Sequence, residues 1–277
     1  MSVPRECDPV SAPRECDPVS APREHGLVSA ASTGGRVGVV VPAAGDGVRL
    51  GPGAPKALRE LAGEPLLVHA VRRLRASRHV GPLVVAAPPA QVEQVRALLA
   101  PYDVLVVAGG AERQDSVAAG LRALPPEVVL VLVHDAARAL VPVAVVDAVV
   151  AALHAGADAV VPVLPVVDTV KRVQGQVVVG TIDRADLRVA QTPQGFRREV
   201  LEQAHRAGMD RARAGGADST DGADLTDGAG AADRATDDAG LVEAIGGTVV
   251  TVPGSEEAFK VTRPLDLLLA EAVLSRG

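Results

Sequence analysis

Aromatic residues are almost missing from this chain of 277 residues, which has no tryptophan and only Tyr102, Phe196 and Phe259. Proteins that bind single-stranded nucleic acid stack its bases on aromatic side chains, so a stacking platform of that kind is excluded. The formal net charge is −6, and a protein that wraps a nucleic-acid duplex needs a basic face instead. We therefore expect no nucleic-acid partner.

Long hydrophobic runs are also missing. An apolar run such as residues 128–133 has the length of a strand, whereas a membrane-spanning helix needs about 20 apolar residues. We expect no membrane partner. The two cysteines, Cys7 and Cys16, both lie near the N-terminus, and a cytoplasmic location is the expectation that fits a cysteine-free body.

The first residues contain a short tandem repeat. Within residues 4–30, the segment PRECDPVSA occurs twice and PREHGLVSA follows. Its prolines oppose both helix and strand, and its period is too short for a solenoid repeat. We predict that residues 1–35 are a disordered tail and that residues 36–277 form the folded domain.

From residue 36 onward, strand-length apolar segments alternate with helical patterns. Continuous Val-rich strands separated by helices predict an α/β fold with a mostly parallel sheet and helices on both faces. Ligands of such sheets bind at the carboxyl ends of the strands. The predicted strands are 37–41, 83–87, 104–108, 128–133 and 159–163, and the predicted helices are 66–78, 91–99, 116–124 and 143–154.

Two stretches interrupt this alternation. Residues 168–182 carry Gln174-Gly175-Gln176 between two Val-rich runs, which predicts a projecting β-hairpin arm. Because the arm is apolar, we expect a partner to cover it. Residues 208–235 are rich in Ala, Gly and Asp, and such a composition predicts a flexible insertion.

Lysine is rare: 25 of the 28 basic residues are arginine, and the lysines are Lys56, Lys171 and Lys260. A lysine ammonium is a compact point charge, whereas an arginine guanidinium is a planar fork, so a crowded phosphate site distinguishes them. Lys56 and Lys260 lie in motifs described below and are expected to be functional. Lys171 is left open between a substrate contact and a surface residue.

A small-residue loop follows the first strand. Residues 42–49 read PAAGDGVR, and Pro55-Lys56 follow shortly after. Such a loop lets backbone N–H groups approach a phosphate chain. It is not a P-loop, because Gly51 is followed by proline instead of Lys-Ser/Thr. It is not a dinucleotide-binding fingerprint either, because Leu50 stands where a small residue is needed.

Seven further motifs follow in order, and with the loop they carry a family resemblance. The chain resembles the 2-C-methyl-D-erythritol 4-phosphate cytidylyltransferases of the non-mevalonate isoprenoid pathway over residues 37–274. The resemblance implies a Rossmann-like nucleotidyltransferase fold. It also implies transfer of CMP from CTP to methylerythritol phosphate, which gives 4-diphosphocytidyl-2-C-methyl-D-erythritol and pyrophosphate. The motifs span residues 109–117, 134–138, 168–172, 181–184, 191–194, 236–239 and 260–264.

The resemblance also implies a role for each matching residue. The residues implied in catalysis are Arg49, Lys56, Arg184 and Lys260. Those implied in CTP binding are Ala43, Ala44, Gly45, Gly110 and Ser116. Those implied in methylerythritol phosphate binding are Asp135, Arg138, Thr169, Thr192 and Thr236. Asp238 stands where the family usually has glutamate and is one methylene shorter.

Two residues keep alternative interpretations. Asp135 at a strand end is also compatible with a helix N-cap, and Arg184 with a surface pair to Asp183 or Asp186. His134 is predicted to serve packing alone. The resemblance further implies Mg²⁺ bound with CTP, no protein ligands for a metal, and a homodimer in which the arm is exchanged.

Two other functions remain open from the sequence. A ribitol-5-phosphate cytidylyltransferase shares the loop and the Thr-Pro-Gln segment at residues 192–194. A catalytically dead relative acting as a binding module is the second, although it predicts damage to the charged set, which is present here.

Overall fold

The structure of the protein is a computed structural model that describes residues 37–45, 50, 54–217 and 236–276. The predicted tail, Arg49 and residues 218–235 of the predicted insertion lie outside the described residues.

Each of the five strands and four helices predicted from the sequence is present, with ends that differ by at most three residues, and the structure adds further strands and helices. The strands are β1 (Val37–Pro42), β2 (Glu60–Leu61), β3 (Glu64–Pro65), β4 (Val80–Ala87), β5 (Leu105–Ala108), β6 (Leu130–Val133), β7 (Ala159–Pro165), β8 (Val170–Gln174), β9 (Val177–Ile182), β10 (Arg188–Ala190), β11 (Gln194–Arg197) and β12 (Val249–Pro253). The helices are α1 (Leu66–Arg75), α2 (Val92–Leu99), α3 (Arg113–Ala123), α4 (Val143–His154), α5 (Arg198–Ala217), α6 (Asp238–Glu243) and α7 (Pro264–Leu274).

One eight-stranded sheet organises the domain, in the order β10-β7-β11-β6-β1-β4-β5, with β12 paired to β7. The pairs that join β1 to β4, β1 to β6, β4 to β5 and β7 to β12 are parallel. Strand β11 runs antiparallel to both β6 and β7, and β10 runs antiparallel to β7. The predicted mostly parallel sheet is confirmed, and the antiparallel strands are additions to it.

Helices cover both faces of the sheet, as predicted. Within β1, Val39 and Val41 pack in the cluster that holds the buried side chains of α1, α2 and α4. Val40 points to the opposite face and packs in the cluster that includes Leu121 of α3 and Leu201 of α5. Because successive side chains of a strand alternate between faces, an all-apolar strand such as β1 requires helices on both sides.

A separate two-stranded hairpin stands where an arm was predicted. Strands β8 and β9 pair antiparallel, from Val170 opposite Ile182 to Gln174 opposite Val177. Four of its valines are more than half exposed, namely Val173 (57 %), Val177 (66 %), Val178 (56 %) and Val179 (53 %). The described residues of the same chain therefore leave the apolar surface of the arm largely uncovered.

The boundary predicted for the insertion is wrong at its N-terminal end. Helix α5 continues to Ala217, so residues 208–217 are helical rather than an irregular insertion. At the start of this segment α5 packs against α6: a β-carbon placed on Gly208 would lie 3.0 Å from Leu241 Cδ2. A glycine that lowers helix propensity is kept here because it lets the two helices approach closely.

In the part of the chain that the structure describes, no helix is both long and apolar enough to cross a membrane.

Candidate active site

A cleft of about 400 Å³ lies beyond the carboxyl ends of β1, β5 and β6. Clefts of this size accommodate small ligands, and the edge of the sheet is the one at which ligands were predicted to bind. Three cationic side chains (Lys56, Arg113 and Lys260) and two anionic ones (Glu112 and Asp135) line it. Eight residues predicted for the site line this cleft: Ala43, Ala44, Gly45, Lys56, Gly110, Ser116, Asp135 and Lys260.

The floor of the cleft is made of backbone segments that follow β1 and β5. The Ala43 N–H donates to Ala86 O at 2.8 Å, and the Gly109 N–H donates to Ala87 O at 2.7 Å. A β-carbon on Gly109 would lie 2.7 Å from the Ala44 β-carbon, so only glycine allows these two segments to approach. The result is a surface of small residues on which a nucleotide can lie against the main chain.

Ser116 fixes the shape of the segment between β5 and α3. Its hydroxyl is buried, accepts a hydrogen bond from the Gly110 N–H at 3.2 Å and lies 3.3 Å from Glu112 O, to which it donates. Asp115 adds a second restraint by accepting from the Glu112 N–H at 3.1 Å. The predicted nucleotide-binding segment is thus held rigid by its own side chains.

Lys56 is placed by a single helical turn. A 3-10 helix spans Lys56–Leu58, and Ala57 and Leu58 are buried in the core behind it. These two anchors leave Lys56 on the cleft lining, beside the small residues that follow β1.

Asp135 follows β6 and is held between two cations. Its Oδ2 accepts from Lys260 Nζ at 2.6 Å, and its Oδ1 accepts from Arg113 Nε at 3.3 Å. Burial alone would raise the pKa of Asp135, but the charges of Arg113 and Lys260 outweigh it and hold that pKa well below its usual range. Asp135 is therefore an ionised hydrogen-bond acceptor in the cleft.

Behind Asp135, the pairing continues into the protein interior. Arg113 Nη1 donates to Asp238 Oδ2 at 2.6 Å, and His205 Nε2 lies 2.9 Å from Asp238 Oδ1. Burial would lower the pKa of Arg113, yet the charges of Asp238 and Asp135 outweigh it and raise that pKa. Arg113 is thus a fixed cation whose guanidinium bridges two carboxylates.

His134 is buried in the interior, and it also makes hydrogen bonds that a packing role did not predict. It is fully buried, and burial lowers its pKa to about 4. Its Nε2 lies 3.2 Å from Arg138 O, which only accepts, so Nε2 carries the proton and Nδ1 accepts from the Thr192 hydroxyl at 3.2 Å. The same Thr192 oxygen accepts from the Asp135 N–H at 3.0 Å.

The structure does not bring every predicted residue to the cleft lining. Thr192 lies directly behind Asp135, and Arg138 donates to the carbonyls of Ala258 and Ala190 at 2.7 and 3.1 Å. Thr169 and Arg184 are exposed beside the hairpin, where Arg184 donates to Val167 O. Thr236 is exposed just before α6.

Three residues of this network were missed as site residues: Arg113, Asp238 and His205. Arg113 and Asp238 lie in the motifs at residues 109–117 and 236–239, so their positions in the sequence could have suggested a role in the site. The contact between His205 and Asp238 joins residues 33 positions apart, and no local pattern predicts it.

Among the described residues, no group of three or more His, Cys, Asp or Glu side chains could hold a metal ion. Glu112 and Asp135 are the described carboxylates that line the cleft.

Comparison with known proteins decides the family. The sequence model of the 2-C-methyl-D-erythritol 4-phosphate cytidylyltransferase family matches residues 37–276. The chain belongs to this family. It is an enzyme, a nucleotidyltransferase of the cytidylyltransferase type.

Individual cytidylyltransferases of this name are similar over most of the chain. That of Streptomyces avermitilis is 52 % identical over 257 residues, which are 88 % of this chain and 94 % of the relative. That of Frankia casuarinae is 54 % identical over 242 residues, 87 % of this chain and 82 % of the relative. The crystal structure of the Thermus thermophilus cytidylyltransferase superposes with a TM-score of 0.68 at 36 % identity, covering 87 % of this chain and all of that one.

The comparisons favour the methylerythritol phosphate enzyme over the ribitol phosphate enzyme, because the matching family and these relatives carry the former name. The structure adds that Lys56, Asp135 and Lys260 line one cleft, so the charged set that an inactive binding module would be expected to have lost is brought together here.

Proposed function

We propose that this protein transfers CMP from CTP to the phosphate of 2-C-methyl-D-erythritol 4-phosphate, releasing pyrophosphate. One observation carries the proposal: Lys56 and Lys260, which lie far apart in the sequence, line the same cleft at the carboxyl ends of the strands. Two polyanions must meet in this reaction, and two fixed ammonium groups in one cleft reduce their mutual repulsion.

CTP lies against the segments that follow β1 and β5. Ala43, Ala44 and Gly45 offer main-chain groups to the triphosphate, and their own side chains are small. Gly110, held by Ser116, faces the base. Arg49 lies outside the described residues and is proposed, with Lys56, to neutralise charge on the α-phosphate.

Methylerythritol phosphate lies on the Asp135 side of the cleft. An ionised carboxylate accepts hydrogen bonds from hydroxyl groups, so Asp135 suits a polyol, and Lys260 beside it suits the phosphate that the polyol carries. Arg138 and Thr192 support this side from behind, through the contacts with the main chain described above.

The chemistry then depends on positioning. A phosphate oxygen of methylerythritol phosphate attacks the α-phosphorus of CTP, a new P–O bond forms, and the bond from that phosphorus to the bridging oxygen of pyrophosphate breaks. The attacking phosphate is already ionised at neutral pH, so no general base is needed. Lys56 and Lys260 stabilise the charge of the transition state and hold the reacting groups in line.

Mg²⁺ is proposed to enter with the triphosphate. The ion is commonly bound through substrate phosphates rather than by an all-protein cage, and both oxygens of Asp135, which lines the cleft, already meet Lys260 and Arg113. When bound, the ion would offset part of the triphosphate charge. Removal of Mg²⁺ with EDTA should abolish turnover, and full activity without a divalent ion would contradict this part of the proposal.

The active form is proposed to be a homodimer. Its proposed location is the cytoplasm. Two features support the dimer: the exposed valines of the hairpin, and the exposed positions of Thr169 and Arg184 outside the cleft of their own chain. A second copy would cover the valines and bring these two residues to a neighbouring cleft.

The proposed function is tested by pyrophosphate release from CTP, UTP and ATP with methylerythritol phosphate and ribitol 5-phosphate. Release should be highest with CTP and methylerythritol phosphate and should be lost in Lys56→Ala. Equal or faster release with ribitol 5-phosphate would contradict the proposed substrate. No release with any pair of substrates would contradict the proposed transfer reaction.

A further inference from the structure

A series of contacting polar side chains leads from α5 to the cleft, and its inner members, His205 and Asp238, are not among the residues that line the cleft. His205 meets Asp238, Asp238 meets Arg113, and Arg113 meets Asp135, which in turn holds Lys260. The side chain of Asp238 is 0 % exposed and that of His205 is 4 % exposed. Neither can touch a substrate.

Burying a carboxylate is costly unless it is paired and hydrogen-bonded. Asp238 meets that condition with one oxygen on Arg113 and the other on His205. Its backbone is also held, because Gln194 of β11 donates to Asp237 Oδ2 at 2.5 Å and accepts from the Ala239 N–H at 3.1 Å. Asp238 therefore has a fixed position from which it can orient Arg113.

Arg113 is the link to the cleft. Its guanidinium spans two carboxylates, at 2.6 Å from Asp238 and 3.3 Å from Asp135. The tighter contact is with the buried partner. If Asp238 lost its charge, Arg113 would be balanced by Asp135 alone and would draw that carboxylate toward itself, away from Lys260.

We propose that Asp238 is a positioning residue for nucleotidyl transfer: held by His205, it fixes Arg113, and Arg113 fixes the carboxylate of Asp135 against Lys260. This inference rests on the proposed function, because it assigns Asp135 and Lys260 to the polyol phosphate. It predicts that a change at Asp238 acts on one substrate more than on the other.

The test is steady-state kinetics of Asp238→Asn with both substrates varied. We expect kcat/KM for methylerythritol phosphate to fall by ~10- to 100-fold, the range expected when a reacting group is misplaced, while KM for CTP changes less than about twofold. Asp238→Glu keeps the charge and should recover most of the loss. Asp158→Asn is the matched control, because it breaks an exposed Asp–Arg pair with Arg197, and it should leave both constants unchanged.

A double-variant cycle separates positioning from general destabilisation. The carboxylates of Asp238 and Asp135 are linked through Arg113, so Asp238→Asn should have little further effect once Asp135→Asn has broken the route. Calorimetric binding of methylerythritol phosphate gives the same comparison if turnover is too slow. An equal loss for both substrates, or a full further loss in the Asp135→Asn background, would overturn the proposal.

Folding is checked by thermal denaturation, and a second variant covers the case in which Asp238→Asn does not fold. His205→Asn keeps every carboxylate and shortens the group that meets Asp238 Oδ1. It should raise KM for methylerythritol phosphate and leave KM for CTP unchanged; a folded variant with wild-type constants would overturn the proposal. An inactive wild-type protein would instead contradict the proposed function.

Discussion

Lys260 donates to Asp135 Oδ2 at 2.6 Å although the two residues lie 125 positions apart in the chain. Asp135 is fixed at the end of β6 and Lys260 just before α7, so the fold joins two distant motifs in one ion pair. The side chain of Lys260 is 39 % exposed and that of Asp135 is 12 % exposed. The lysine is therefore held by a buried partner while its ammonium still reaches the cleft.

Replacement of Lys56 by arginine should be strongly harmful. Residues 43–45 and Ala57, which line the cleft with it, are small and leave room for phosphates. The larger, planar guanidinium of an arginine would displace the bound phosphates. We expect Lys56→Arg to lose ~10²-fold in kcat, the scale on which one transition-state contact is lost. Arg206→Lys is the control, because it makes the reverse exchange at an exposed position on α5, where Arg206 pairs with Glu202, and it should leave kcat unchanged. Near-normal turnover of Lys56→Arg would remove Lys56 from the proposed chemistry.

Gly110→Ala should disturb the nucleotide side of the cleft. A β-carbon there would lie 2.2 Å from the β-carbon of Asp115, so the segment that Ser116 holds must move. We expect the free energy of unfolding to fall by about 1–3 kcal/mol. We also expect the KM for CTP to be higher than that of the wild-type protein. Gly180→Ala provides the control, because no described atom of the same chain lies within 4 Å of the added atom. If Gly110→Ala and Gly180→Ala behaved alike in denaturation and kinetics, the close packing at Gly110 would be refuted.

Stability should fall in acid partly through Asp135. Its pKa is lowered in the folded state by Arg113 and Lys260, against the opposing effect of burial. A lowered folded-state pKa stabilises the protein above the unfolded pKa of about 3.9, and this contribution is lost as the pH falls toward the folded value. The wild-type advantage over Asp135→Asn should therefore be constant above about pH 5 and shrink between about pH 5 and pH 2.

The measurement is urea denaturation of both proteins across that pH range. Asp158→Asn is again the comparison, because its exposed ion pair with Arg197 contributes only about 0–1 kcal/mol. A difference between wild type and Asp135→Asn that stayed constant with pH would show that the charge of Asp135 does not stabilise the fold.

Mixed subunits test the proposed dimer. If Arg184 serves the cleft of a neighbouring chain while Lys56 serves its own, Arg184→Ala and Lys56→Ala homodimers are each nearly inactive. In a mixed dimer, one site carries both defects and the other carries neither. Random pairing makes half of the dimers mixed, so about a quarter of all sites should regain activity. Continued inactivity after co-expression would show that Arg184 does not serve a neighbouring site.

Much of the sheet was predictable, because continuous Val-rich runs such as those of β1 and β6 predict strands that are buried on both faces. The antiparallel strand β11 was not predicted. Its residues, Gln194–Arg197, contain only one large apolar side chain, Phe196, and its place between β6 and β7 depends on pairing with distant strands. Helix α5 was not predicted either, and the insertion was placed too early, since the contact of Gly208 with Leu241 depends on the packing of α6.

The residues of the site also divide into those that the sequence predicted and those that it did not. Lys56 and Lys260 could be selected because lysine is scarce and both lie in motifs, and the fold places both at the cleft. The pairing of Arg113 with Asp238 could not be predicted, because sequence patterns do not reveal which of many acidic residues a partly buried arginine will contact. Thr192 illustrates the opposite case: its motif was recognised, but the contacts of its hydroxyl with the Asp135 backbone and His134 required the three-dimensional arrangement.

The most direct test of the account is the identity of the product, observed by ³¹P NMR during incubation of the wild-type protein with CTP, Mg²⁺ and methylerythritol phosphate. The account predicts that the phosphate resonance of the polyol is replaced by two coupled resonances of a diphosphate diester, together with free pyrophosphate. CTP cleavage that yields CMP and leaves the polyol phosphate resonance unchanged would contradict it.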